Sequence, residues 1–322
     1  MTFKYNGNFN NNLEALKEQG NRAMYSVIKN ARRNKLPINL QFDMFDKMVM
    51  PVLLYGCEIW GYKNLSTLEN LHLKFCKLAM HLKTTTPDVM VYGESGRFEV
   101  EYYAKIRIIN YWSKIACGNR NKLSFLMYNL CKQRHENGLP SSEWIVNLAS
   151  MLDSYGINFI PEEVLHVKAA VKHMQIHIKN EYIDNWEAQV NNSPKCSILY
   201  KHIKLTFTEE YYLTKLPFYL RIAMSRIRTC NHKLPIEVGR YAGSYKPRHD
   251  RICNKCNSML RGDELHFILE CQNPILLELR TKYISPYYTS EPNMAKLAEL
   301  FNNKGKKLFK LARYISEGLK LY

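Results

Sequence analysis

The stretch STLENLHLKFCKLAMHLK, residues 66–83, decides the fold class. Leu68, Leu71, Phe75, Leu78 and Leu82 recur at intervals of three and four, the spacing that lines one face of an α-helix. Ser66 followed by Glu69 has the form of a capping box, in which the two side chains satisfy orphan backbone N–H groups of the first turn. The same period continues on both sides. Leu13, Leu16, Met24, Val27 and Ala31 predict a helix that runs into the basic cluster Arg32-Arg33-Asn34-Lys35 and stops at Pro37. Phe42–Tyr55, interrupted at Pro51, ends at Gly56, and Thr86-Pro87-Asp88 opens a further helix. Helices are also predicted over Glu101–Ala116, Leu123–Gln133, Ser142–Tyr155, Pro161–Val190, Glu209–Thr229, Asn293–Asn302 and Lys306–Glu317. Asn231–Arg261 breaks the pattern with Gly, Pro, Asn, Arg and Lys, leaving only a short extended piece near Ile236–Tyr241. The fold class is therefore mainly α: a multi-helix region, a small irregular module and terminal helices.

The irregular module contains Cys253-Asn254-Lys255-Cys256, then His266, then Cys271, a C-x2-C-x9-H-x4-C spacing. A CxxC turn aims two thiolates at one tetrahedral centre, and a His-x4-Cys pair on a helical turn adds two more ligands. With little apolar material for a core, the segment needs bound Zn2+ to stabilise it. Four protein ligands close the coordination sphere, which points to a structural ion. The alternative is two buried cysteines, one chance cysteine and a surface histidine. Cys57, Cys76, Cys117, Cys131 and Cys196 lie in apolar surroundings and read as small core residues, whereas Cys230 fits no ligand spacing. His173 and His177 stand four apart, but Met174-Gln175-Ile176 between them lacks the glutamate of a zinc-protease helix.

Charge supplies the next constraint. The 322 residues hold 46 Lys+Arg against 29 Asp+Glu, a formal net charge of +17. That length exceeds one compact core, so two or three domains are expected, and 46% hydrophobic residues exclude wholesale disorder. Lys215–Arg261 carries eleven basic residues and two acids, and Lys304–Tyr322 six and one, so most of the excess sits in two places. A polyanion is the expected partner, RNA and/or DNA ahead of a membrane surface. Arg221, Arg226, Arg228, Lys233, Arg240, Lys246, Arg248, Arg251 and Lys255 are the candidate phosphate contacts. Arginine prevails among them, and its planar fork matches phosphate oxygens. Tyr241 and Tyr245, inside the same flank, are candidates to stack on unpaired bases.

The most apolar stretch, Met48–Trp60, carries Pro51 and Glu58 and falls short of a membrane span. No apolar signal core precedes it, and the nine cysteines show no disulfide framework. An intracellular protein, nuclear or cytoplasmic, is expected, with neither a membrane partner nor a small-molecule substrate. Two-metal polymerase or nuclease chemistry requires paired carboxylates, and no Asp-Asp pair occurs. Asp43 and Asp46 read as a solvated helix face. Glu162-Glu163 and Glu209-Glu210 begin helices, where acids complement the macrodipole.

Several motifs, taken in order, resemble the region that follows the polymerase core in LINE-like (non-LTR) retrotransposon reverse transcriptases. They are Leu53-Leu54-Tyr55-Gly56-Cys57-Glu58-Ile59-Trp60-Gly61, Thr86-Pro87, Val91-Tyr92-Gly93-Glu94-Ser95-Gly96-Arg97, Tyr111-Trp112 and Leu234-Pro235-Ile236-Glu237-Val238-Gly239-Arg240. Cys253, Cys256, His266 and Cys271 match that family's C-terminal zinc knuckle ligand for ligand, with Gly262-Asp263-Glu264 before the histidine. The resemblance implies a thumb-like helical region over 1–140, a helical connector over 141–230, a basic segment with a CCHC knuckle over 231–280, and basic C-terminal helices over 281–322. The family is an RNA-directed DNA polymerase, but its palm with paired catalytic aspartates would lie before Met1. The chain thus resembles a non-catalytic, zinc-containing, nucleic-acid-binding remnant, active as a polymerase only with a palm supplied upstream or in trans. A helical scaffold repurposed for a protein partner is the remaining reading.

Overall fold

Apolar periodicity becomes helix through most of the chain. The computed structural model describes residues 9–157, 164–194, 196, 198–241, 243 and 245–322, so the first eight residues and the expected helix start at Pro161 lie outside them. The described residues form 18 α-helices and no strand, a mainly α fold. Their one β pairing is the isolated antiparallel bridge between Ile252 and Arg261.

Departures from the expected boundaries have local causes. The predicted Glu209–Thr229 helix is two helices, Tyr211–Lys215 and Phe218–Arg228, split at Leu216-Pro217. Proline offers no N–H and forces the preceding residue extended, and Leu216 has ψ 142°. The expected extended piece near Ile236 is a single helical turn, Pro235–Val238, with proline in its first turn. Between the irregular module and the terminal helices stands an unanticipated helix, Pro274–Tyr283, whose N-terminus is capped by the Asn273 side chain accepting from the N–H groups of Ile275 and Leu276. At the expected capping box the helix begins with Ser66 itself, whose N–H donates to Asn64 Oδ1 at 2.9 Å, and the Glu69 carboxylate accepts the N–H of Val100, which opens the Val100–Ala116 helix.

The chain divides into two compact units, each assembled from separated stretches. The first comprises residues 1–27, 44–72 and 98–185. Its main core gathers the apolar faces of Val100–Ala116, Leu123–Glu136, Glu143–Ser154 and Val164–Asn192 around Trp112, Leu148, Leu152, Val171 and Met174. Trp112 is fully buried, and its indole N–H donates to the Tyr128 hydroxyl at 3.0 Å, so no polar group is stranded there.

The second unit comprises residues 28–43, 73–97 and 186–322. Here the terminal helix Lys306–Gly318 lies against Phe218–Arg228 and Pro274–Tyr283. Leu308, Leu311, Ala312, Tyr314 and Ile315 are buried, while Lys306, Lys307, Lys310 and Arg313 stay exposed. Each such large apolar side chain contributes about 1.5–3 kcal/mol by leaving water. Tyr314 donates its hydroxyl to the Phe267 carbonyl, which ties the last helix to the cysteine-rich segment. No helix among the described residues is long and apolar enough to cross a membrane.

Candidate metal centre

Four side chains converge in the second unit. The sulfurs of Cys253, Cys256 and Cys271 and a ring nitrogen of His266 all lie within 4.8 Å of one another. Cys253 Sγ is 3.9 Å from Cys271 Sγ, and Cys256 Sγ is 3.3 Å from His266 Nε2. Tetrahedral bonds of about 2.3 Å to sulfur and about 2.0 Å to nitrogen set such pairs roughly 3.5–3.8 Å apart. The donor set therefore fits a metal ion with small adjustments.

The backbone explains how they meet. A short hairpin, closed by Cys253 N–H to the Leu260 carbonyl and Gly262 N–H to the Arg251 carbonyl, each at 2.9 Å, carries the CxxC turn. Inside the turn, Lys255 N–H points at Cys253 Sγ at 3.4 Å. The other two ligands flank a π-turn, His266–Glu270, in which Cys271 N–H donates to the His266 carbonyl at 2.7 Å. A bond between residues five apart is the repeat of a π-turn, so the His-x4-Cys interval is met by a wider turn than the ordinary helical one expected. Asp263 accepts the His266 N–H at 3.0 Å and starts that turn.

Electrostatics within the set are uneven. Burial raises the Cys256 thiol, but hydrogen bonds from Ser258, the Gln272 N–H and His266 outweigh it and bring it down to about 6. Burial, together with Cys253 and Cys256 alongside, pushes the Cys271 thiol up to about 12. Three thiolates are thus unstable together without a cation, and binding one releases protons. His266 is buried with the Glu270 carboxylate 3.5 Å from its Nδ1, an arrangement that leaves Nε2 facing the sulfurs. Asn273 donates to the Lys255 carbonyl at 3.1 Å and so fastens the CxxC turn to the helix it caps. The Tyr322 hydroxyl sits 3.5 Å from Cys253 Sγ, with Lys255 Nζ 5.4 Å from its ring centre. Nothing in the spacing pattern marks Tyr322.

A second group lies close by. Cys230, Glu237 and Glu264 are buried, with ligand atoms within 4.8 Å of one another. Their charges already have partners: Arg240 Nη1 is 3.1 Å from Glu237, and His232 Nε2 is 3.2 Å from Glu264. Leu234 N–H donates to His232 Nδ1 at 3.3 Å, which leaves the ring proton on Nε2 to face Glu264.

The nine basic candidates fall into distinct classes. Arg226, Lys233, Lys246 and Arg248 are exposed, and Arg240 and Lys255 are partly so. Arg221, Arg228 and Arg251 are buried, which corrects their reading as phosphate contacts. Arg228 is held by Glu94 and Glu210. Arg251 donates to the carbonyls of Lys246 and Ile236, both at 2.9 Å. Arg221 lies over the Phe218 ring at 5.6 Å. Arg228 and Arg251 are thus committed to contacts inside the protein. Outside the centre, His173 and His177 are exposed, with their Nε2 atoms 3.0 Å apart. The chain matches no protein-family model, no curated protein and no solved structure.

Proposed function

We propose that this chain binds RNA or DNA without catalysis, as the thumb, connector and zinc knuckle of a LINE-like reverse transcriptase. The observation that carries the reading is the convergence of Cys253, Cys256, His266 and Cys271 on one point, in the ligand order of that family's knuckle. Zinc suits three thiolates and an imidazole, and with four protein ligands it acts structurally, holding the hairpin and the π-turn together. Arg226, Lys233, Lys246 and Arg248, at the surface, and Arg240 and Lys255, partly so, supply positive charge for phosphates.

Purified protein should retain one equivalent of zinc and bind RNA with an affinity that falls steeply with salt, log K dropping by roughly 0.7–0.9 for each phosphate neutralised. Affinity that stays flat from low to moderate salt would exclude the nucleic-acid reading. A metal content near zero would exclude the knuckle.

One observation favours a second reading, the protein-interaction scaffold. The Leu123–Glu136 helix leaves Leu123, Leu126, Met127 and Leu130 about half or more exposed. Pull-downs with and without nuclease separate the two, because a protein partner survives digestion and one bridged by nucleic acid does not.

A further inference from the structure

Within the second unit, a cleft of about 390 Å³ is lined by Lys83, Thr86, Asn231, Glu237, Arg240, Tyr241 and Tyr245, among others. That volume suits one small ligand rather than a helix or a duplex. Tyr241 and Tyr245 are 48% and 66% exposed, so both rings are open to a ligand in the cleft. Hydrogen bonds hold the backbone on either side of the pair. Lys246 N–H donates to the Gly239 carbonyl at 2.9 Å, and buried Arg251 clamps the carbonyls of Ile236 and Lys246. Arg251 is two residues from Cys253, so Ile236 and Lys246, which bracket the tyrosines in sequence, are tied to the knuckle hairpin. Asn231 Nδ2 donates to Thr86 Oγ1 at 2.8 Å, which places a carboxamide and a hydroxyl together in the lining. Lys83 is exposed, and partly exposed Arg240 adds a guanidinium that Glu237, also in the lining, engages at 3.1 Å.

We propose that this cleft takes one unpaired nucleotide of a single strand. The base stacks on Tyr241 and Tyr245, its polar edge meets Asn231 and Thr86, and its phosphate lies by Lys83 and Arg240. Aromatic rings accept any base face, while a base inside a duplex has no face to offer. The proposal rests on the nucleic-acid reading above and adds single-strand preference to it.

The test measures binding of a labelled twelve-nucleotide RNA, alone and annealed to its complement, by the parent and by Tyr241→Ala/Tyr245→Ala, at one salt concentration. The single strand should lose about 5- to 150-fold affinity and the duplex less than about twofold, with Tyr241→Phe/Tyr245→Phe restoring most of the loss. Metal content and thermal midpoint serve as the fold control. Equal losses for both RNAs, or no loss, overturn the cleft while leaving the nucleic-acid reading intact. A parent that binds neither RNA removes both. If the alanine variant fails its fold control, crosslinking of a 4-thiouridine strand to the parent decides: adducts on Tyr241 or Tyr245 support the cleft, and adducts confined elsewhere overturn it. Binding of free mononucleotide as tight as that of the strand would identify a nucleotide site and overturn the strand assignment.

Discussion

Arg228 grips Glu94 side-on, its Nε and Nη2 lying 2.7 and 3.0 Å from the two carboxylate oxygens, across 134 residues of sequence. Both side chains are out of solvent, and Nη2 also reaches Glu210 at 3.0 Å. Two opposing carboxylates hold the guanidinium charged against the cost of burial. Removing one partner strands the others in a medium that solvates them poorly. Arg228→Ala and Glu94→Gln should therefore each lower unfolding free energy by about 3–5 kcal/mol, read as a drop in the urea midpoint.

The same burial sets a contrast in binding. Where it stays folded, Arg228→Ala should leave the salt dependence of RNA affinity unchanged. Arg248→Ala, which changes an exposed residue, should weaken affinity and reduce the slope of log K against log salt by about one. A parallel loss for both variants would mean that the Arg228 cluster touches nucleic acid after all.

His266 and Glu270 give the metal prediction. Glu270 Oε2 stands 3.5 Å from Nδ1, not yet a hydrogen bond, and is placed to orient the ring without being a ligand. Glu270→Gln should cost about 10- to 100-fold in metal affinity, measured by competition with a chromophoric chelator, while keeping one equivalent bound at saturation. Cys253→Ser should lose that equivalent. Because Arg240 already pairs with Glu237 and His232 Nε2 faces Glu264, the total should not reach two.

Much of this was written in local patterns. The period of residues 66–83 and its neighbours yields helices because a helix buries a face repeated at three and four residues. The ligand set is legible because CxxC and His-x4-Cys are local intervals, even though the second resolves as a π-turn. The fates of the arginines were not legible. Arg228 and Arg248 look alike in a basic run, and only tertiary contact with Glu94 separates them. Glu94 gave one weak signal, a lone acid in the small and apolar run Val91-Tyr92-Gly93-Glu94-Ser95-Gly96. Tyr322 gave none, since its approach to Cys253 depends on how the terminal helix docks.

Gly239 tests the clamp that joins the tyrosine-bearing segment to the knuckle. A Cβ there would meet Arg251 Cγ at 2.8 Å and Nε at 3.0 Å, and Arg251 cannot easily yield while both its carbonyl partners hold it. Gly239→Ala should cost about 1–3 kcal/mol, seen as a lower thermal midpoint. Arg251→Lys loses the two-pronged contact to Lys246 and Ile236 and should lower the midpoint as well, with metal content intact in both.

His81 carries a pH dependence whose sign follows from its surroundings. The ring meets Phe218 edge-on at 4.9 Å, and burial, then Arg32, Arg221 and Arg226, lower its pKa below the ordinary value of about 6.5. The unfolded chain therefore takes up a proton at higher pH than the folded protein does. The resulting stability is complete above about pH 6.5 and is lost as pH falls through the lower folded value. His81 also has φ 56°, a left-handed conformation that asparagine tolerates, so His81→Asn removes the titration with little backbone strain. The fall in thermal midpoint between pH 7.5 and pH 5.5 should be smaller in His81→Asn than in the parent. An identical fall would assign the acid sensitivity to other groups.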